Sequence, residues 1–301
     1  MKYETAATAT IENSWEESAR TILTDCLKSV RRWLKRAAGK WTAEVKAVHQ
    51  LRVSGRRALS ALNLFEALLP PAEVRWFRKR LKAILKAAGR ARDLDVLIKT
   101  QLPRCGKARK ILAKRWQAER AATQQPLVAL YQKLKQNHQF PNHIRSLVRH
   151  LNLTAPATEH DAQLICDERI LPQLADLCSA VVKALEIEAD VESLHKLRIA
   201  IKWLRYAAEL LLPLLQSKKL RDMAAALPEL LKQLGAMQDH VVAGQEFERS
   251  IKRLKQESNQ QILQDLIEIE ACDLADSVAT FRDWLNSEAC RKLKQRIESI
   301  V

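Results

Sequence analysis

Counted at about 100° per residue from His49, polar and apolar positions separate onto two sides of a helix. His49, Arg52, Val53, Arg56, Ser60 and Asn63 share one side, and Leu51, Ala58, Leu62, Phe65 and Leu69 fall opposite. The separation recurs from His195. His195, Arg198, Ile199, Lys202, Tyr206 and Glu209, with Arg205 at the edge, face away from Leu197, Leu204, Ala208, Leu211 and Leu215. Each segment predicts an amphipathic helix with a cationic stripe opposite a core stripe. A third helix is predicted over 73–88, where Arg75, Arg78, Lys79, Lys82 and Lys86 are spaced i, i+3, i+4, i+7 and i+11 and Phe77, Leu81, Ile84 and Leu85 face away. No acidic residue is interleaved after Glu73, so nothing local offsets these like charges, and an external anion is the simplest compensation. Pro70-Pro71 and Pro213 end or turn the His-containing helices. Gly89 and Gly235 read as helix ends, where left-handed backbone costs glycine little. No segment carries a convincing strand alternation, so the fold class is all-α.

The helical pattern is duplicated. His49-Gln-Leu-Arg-Val-Ser-Gly-Arg (49–56) aligns with His195-Lys-Leu-Arg-Ile-Ala-Ile-Lys (195–202) at an offset of 146. Leu85, Lys86, Gly89, Asp93 and Val96 recur as Leu231, Lys232, Gly235, Asp239 and Val242 at the same offset, with no gap between the two matches. A repeated helical unit follows, with halves over 14–150 and 160–301 and a boundary near 137–160, where Pro141 and Pro156 interrupt a weakly periodic segment. The matching faces of His49, Arg52 and Arg56 and of His195, Arg198 and Lys202 suggest that both copies line one cavity. The basic faces of the His helices cannot enter a dry core without stranding charge, and a shared wet groove resolves that conflict.

Charge sharpens this picture. The chain of 301 residues carries a net +16, but unevenly: residues 1–150 hold 32 Lys and Arg against 11 Asp and Glu (+21), and the remainder holds 19 against 24 (−5). Such a field speaks of partners rather than fold and favours a polyanion. The second copy has lost most of the 73–88 stripe, its equivalents being Arg221, Ala224, Ala225, Pro228 and Lys232. Aromatics make up 5% and hardly touch the basic stripes, which disfavours stacking on single-stranded nucleic acid. No apolar run is long enough to span a bilayer, and Met1 to Ser14 lacks a signal-peptide core, so a cytoplasmic protein with no membrane partner is expected. The six cysteines have no C-x-x-C spacing and are expected to be reduced and buried.

The doubled H-x-x-R-[VI]-x-x-[RK], each copy followed by G-x-x-x-D, resembles the conserved histidine α-helical domain, the CHAD family. The clearest pieces are VHQLRVSGRRALSALNLF (48–65), GRARDLDVL (89–97) and LHKLRIAIKWLRYAAELL (194–211). The resemblance covers roughly residues 14–300. It implies two pseudo-symmetric helical bundles around a basic central groove or pore, and inorganic polyphosphate binding at polyphosphate granules, with His49, Arg52, Arg56 and Arg57 in the first copy and His195, Arg198, Lys202 and Arg205 in the second as the ligand face. Trp203 and Leu59 stand where the family pattern often has basic residues. Residues 1–13 carry no E-x-E-x-K triphosphate-tunnel motif, so hydrolysis by that route is not expected.

Three alternatives remain open from sequence, one of them an adaptor for another protein. Duplex nucleic acid fits the charge, although no helix-turn-helix, zinc-finger or RNA-binding signature is present. A phosphohydrolase or metal-binding role would need carboxylates on the cationic faces, where only Glu209 stands, at i,i+4 from Arg205. His160-Asp161 lies at the boundary, and His138, His143 and His150 are poorly spaced for one tetrahedral ion. No cofactor, metal or catalytic residue is expected.

Overall fold

The computed structural model describes residues 15–39, 44, 46–153, 164–186 and 190–300, and every regular element among them is helical. In chain order these are α1 (Trp15–Gly39), α2 (Lys46–Leu64), α3 (Pro71–Ala87), α4 (Gly89–Thr100), α5 (Arg109–Ala122), α6 (Gln125–Lys135) and α7 (Gln139–Leu153) in the first half. The second half has α8 (Leu171–Ala184), α9 (Val191–Leu215), α10 (Lys218–Ile251), α11 (Glu257–Leu285) and α12 (Glu288–Glu298). The helices that carry the H-x-x-R motifs are α2 and α9. They pack against one another, with α1 and α3 against α2 and α8 and α10 against α9.

Local chemistry sets the ends. Pro71 opens α3, where its missing N–H costs nothing. Asp190 caps α9 by accepting from the backbone N–H of Glu192 (2.8 Å) and Ser193 (2.9 Å). Gln216, in the left-handed region at φ 45°, closes α9 just after Pro213. Ser217 and Ser287 cap α10 and α12 through their hydroxyls.

The faces expected to be apolar are the core. Leu51, Ala58, Leu62 and Phe65 of the first copy and Leu197, Leu204, Ala208 and Leu211 of the second are buried in one hydrophobic cluster that draws on both halves. A second, smaller core joins Leu94, Leu112 and Trp116 of the first half to Phe247, Leu263 and Leu266 of the second, with the Trp116 and Phe247 rings 6.3 Å apart. Each buried leucine contributes roughly 1.5–3 kcal/mol of transfer free energy. Separating the halves would expose both cores.

Three expectations are corrected. The second copy has no helix ending at its glycine: Gly235 lies inside the 34-residue α10, which spans the equivalents of both α3 and α4. Gly89 does begin a new helix, but the chain turns there through Ala88 (φ −84°, ψ −4°) and neither glycine has a positive φ. The segment from 139 to 153 is a regular helix, buried at Phe140, Ile144, Leu147 and Leu151, with Pro141 tolerated in its first turn. The Thr-Ala-Pro-Ala-Thr part of the boundary and His160-Asp161 lie outside the described residues. Finally, Cys105, Cys166, Cys178 and Cys290 are buried, but Cys272 is exposed and Cys26 only partly covered. Burial pushes the Cys178 thiol up to about 12, as unreactive as a structural thiol should be.

Candidate polyanion-binding site

The packing of α2 on α9 brings the cationic stripes of the two copies together. Lys202 shows this most directly. Burial, followed by the charges of Arg198, Arg56, Arg52 and Arg205, pushes its amine down from 10.5 to about 7. Two of those arginines come from α2 and two from α9. Arg56 lies near the centre, because its charge acts on His49, Arg52, Arg198 and Lys202 alike.

Arg52 and Arg198 are held in matching ways. Burial lowers both, Arg56 lowers both further, and a carboxylate opposes the shift in each case, Asp93 for Arg52 and Asp239 for Arg198. A Cβ added to Gly89 would lie 3.6 Å from Arg52 Nη1, and one added to Gly235 would lie 4.0 Å from Arg198 Nη2. Neither glycine supplies a left-handed turn; each lies against the guanidinium at a spacing that a methyl group would meet in ordinary contact and only a longer side chain would disturb. Arg52 Nη1 also donates to Leu85 O at the end of α3 (3.0 Å), and the buried Arg198 Nε has no hydrogen-bond partner among the described residues. Tyr206, 4% exposed, lies within electrostatic reach of both arginines.

The histidines differ. His49 is pushed below its ordinary value by burial and then by Arg92, Arg52 and Arg56. His195 Nδ1 lies 2.5 Å from Gln238 Oε1, to which it donates. Arg92 and Gln238 are repeat equivalents, 146 positions apart. Arg92 also acts on Asp239, whose carboxyl is raised by burial and drawn back by Arg198, Arg92, His240 and Lys202. Sequence reasoning missed Arg92, Gln238 and the role of Tyr206. The offset of 146 was the signal that could have found the first two.

Arg57 and Arg205 occupy the edge of the cluster and share Glu209, at 3.9 Å and 3.2 Å. The expected Arg205–Glu209 pair is present, and Arg57 joins it from the other half. Beyond it, Trp203 and Ser60 help to line a cavity of about 310 Å³ with Asn63, Leu64, Gln173, Asp176 and Leu177.

The stripe on α3 stands apart. Arg75, Lys79, Lys82 and Lys86 are exposed, and none is among the charges that act on Lys202, Arg52, Arg198 or His49. The expectation that nothing local offsets the stripe is wrong for Arg78. A 3₁₀ turn at Glu66–Leu68 brings Glu66 back across α3, where it pairs with Arg78 at 2.8 Å, and Arg78 also donates to Asn63 Oδ1 at 2.9 Å.

Among the described residues, metal-ligating groups do not gather on this face. His143 is bonded to Glu73 (2.6 Å) and stacked on Trp76 (3.7 Å). Elsewhere, His240, Glu270 and Asp273 could approach a common point. Glu270, however, is buried with one oxygen on Arg104 and the other 2.7 Å from His240, so an arriving cation would have to displace a guanidinium. That network ties α11 to the first half of the chain.

An all-helical chain in which two H-x-x-R helices pool their cations at one place defines a class of anion-binding helical protein. The sequence model of the CHAD domain matches residues 21–248, and the chain belongs to the CHAD family. It is similar to the crystal structure of the CHAD domain from the plant Ricinus communis, with 26% identity and a TM-score of 0.67 over 95% of this chain and 97% of that one. The structure of PptA from Streptomyces chartreusis shares the fold at 15% identity and a TM-score of 0.63, over 91% of this chain and 100% of that one. No curated protein matches the chain. No helix of the described residues is long and apolar enough to cross a membrane.

Proposed function

We propose that this protein binds inorganic polyphosphate, without turning it over, through the cluster built by α2 and α9, and that this binding holds it at polyphosphate granules. Arg52, Arg56, Arg198 and Lys202 form the central contacts. His49 and His195 flank them, and Arg57 and Arg205 extend them where they are not engaged by Glu209. The observation that carries the reading is the packing of the two H-x-x-R helices on one another, with Arg57 of one and Arg205 of the other meeting at Glu209, which puts both cationic stripes within electrostatic reach of Lys202. Like charges brought together at a half-buried place destabilise the fold, and an anion that threads among them removes the repulsion. A phosphate chain is suited to this because each residue carries about one charge and no base needs a stacking platform. The ring at the cluster centre, Tyr206, is buried, so base stacking has no surface there. Arg75, Lys79, Lys82 and Lys86 supply field and outer contacts.

The test is titration calorimetry with polyphosphate of defined length, alongside Arg52→Ala and Arg198→Ala. Each substitution should weaken a single class of sites, with non-additive effects. Two independent sites, each abolished by one substitution, would refute the shared site. Duplex DNA of equal charge should compete poorly, and equal competition would favour a nucleic-acid binder.

A further inference from the structure

We propose that the cavity between α2, α8 and α9 takes the base of a guanine nucleotide whose phosphates rest on the edge of the cationic cluster. The cavity arises where the two copies of the repeat diverge. At the offset of 146, Arg57 is equivalent to Trp203, Glu209 to Asn63 and Tyr206 to Ser60. Arg57 and Glu209 approach one another at 3.9 Å, whereas their equivalents Trp203 and Asn63 both line the cavity. Where the second copy fills space with the buried ring of Tyr206, the first has only Ser60. The result is about 310 Å³ of space, within the size range of small-molecule pockets and, like many of them, at the junction of two structural units.

The polar groups of this cavity are available to a ligand. Ser60 is 2% exposed, yet its hydroxyl has no hydrogen-bond partner among the described residues. A buried hydroxyl is costly to leave unmet. Gln173 and Asp176, contributed by α8, have no partner among the described residues either. Only Asp176 is charged among the lining residues, and its carboxylate is unpaired in a chain of net charge +16. Asn63 is oriented by Arg78, which donates to its Oδ1 at 2.9 Å and leaves the amide nitrogen to donate in turn. The cavity thus offers a carboxylate that accepts, an amide that donates, a hydroxyl that does either, and a half-buried indole against which a flat ring can lie.

Guanine matches this set. Its N1–H and N2 amino group are adjacent donors suited to the two oxygens of one carboxylate, and its O6 and N7 accept. Adenine sets an acceptor beside its single amino group, so a carboxylate there meets repulsion. Ser60 lies one turn beyond Arg56 and Arg57 on α2, about 5 Å along the axis, so a nucleotide with its base in the cavity brings its phosphates to those arginines. Arg57 Nε is too far from Glu209 for a hydrogen bond and has no other partner among the described residues, and a phosphate supplies the missing acceptor. The placement of the phosphates rests on the anion-binding function proposed above; the recognition of the base does not.

The full chain is titrated by calorimetry with GDP, ADP and pyrophosphate in one buffer. GDP should bind about tenfold more tightly than either of the others, the scale of one bidentate contact to a base. Asp176→Asn, at an exposed position, should abolish that preference and leave pyrophosphate unchanged. The same variant presents a donor where the carboxylate accepted, so it should come to favour xanthosine diphosphate, whose O2 accepts where guanine donates; loss of folding cannot produce such a switch. Trp203→Ala, checked by its thermal melt, should weaken GDP and ADP alike. Equal affinity of the native chain for all three ligands, or a preference for GDP that survives Asp176→Asn, would overturn the proposal. Polyphosphate separates the two readings. A chain that binds polyphosphate but does not prefer GDP loses the base site alone, and a preference for GDP without polyphosphate binding supports the base site and counts against the polyphosphate reading.

Discussion

Polyphosphate binding should draw protons from solution, and Lys202 sets how many. With its amine at about 7 in the free protein, Lys202 is about half charged at pH 7 and about nine-tenths neutral at pH 8. A bound polyanion supplies the opposite charge that the free cluster lacks, so the amine's pKa rises on binding and the complex takes up a proton. The sign follows: affinity strengthens as pH falls. One unit of separation between pH and the free pKa costs about 1.4 kcal/mol, so the affinity should fall about tenfold between pH 6 and pH 8 through this lysine alone. Calorimetry in buffers of different ionisation enthalpy reads the proton count directly. It should give about 0.5 proton per site at pH 7, near 0.9 at pH 8 and near 0.1 at pH 6. Lys202→Arg keeps the charge fixed and should flatten the profile above pH 6.5. His49, which burial and Arg92 hold low, adds uptake only on the acid side, and His49→Gln removes that part. Binding at pH 8 with no net proton uptake would refute the account of a cluster that starves its lysine of charge.

The same crowding predicts that the free protein gains stability as pH rises from about 7 toward the ordinary lysine value, because the unfolded chain binds more protons there; Lys202→Met should accordingly raise the melting temperature while weakening binding, as read by paired melts and isotherms. Glu209→Gln frees Arg57 and Arg205 from a partly exposed carboxylate and should tighten binding up to about fivefold, the scale of such pairs. Lys79→Ala with Lys82→Ala should weaken binding less than Arg56→Ala alone, since the exposed α3 stripe stands outside the cluster and supplies only outer contacts; the reverse order would move the main site to α3. Affinity should fall steeply with salt, with a log–log slope of roughly −0.7 per phosphate contacted if single-strand behaviour transfers.

The parts of this molecule that were legible in sequence are those governed by one helix at a time. The 3.6-residue period separated Leu51 and Leu62 from Arg52 and Arg56, and the doubled motif showed that two such helices exist. Relations between helices were less visible. Arg92 beside His49 and Gln238 beside His195 sit at equivalent positions, a relation that the offset of 146 carries but that identity between the copies, arginine against glutamine, does not mark. Glu66 was not seen as the partner of Arg78 because a 3₁₀ turn, with no sequence periodicity to announce it, carries it back. The glycine reading failed for a different reason. Gly235 and Pro228 both disfavour a helix interior by about 1 and 3 kcal/mol, yet α10 runs through both, so tertiary packing outweighs local propensity there.

That outcome also says what the glycines are for. A residue retained at the same place in two copies, once at a helix start and once mid-helix, cannot be serving backbone conformation in both. What the two places share is an arginine: Arg52 against Gly89 and Arg198 against Gly235. The spacing there is ordinary contact for a methyl group, so Gly235→Ala should leave binding intact and add about 0.5–1 kcal/mol of helix stability. Gly235→Leu, whose branch extends further, should displace the Arg198 guanidinium and weaken binding without comparable loss of stability. Melts and polyphosphate isotherms on the pair separate the two roles. If alanine and leucine weaken binding equally, the glycine is not a space left for arginine, and the cluster's geometry must be maintained by the Arg52–Leu85 and Glu209 contacts instead.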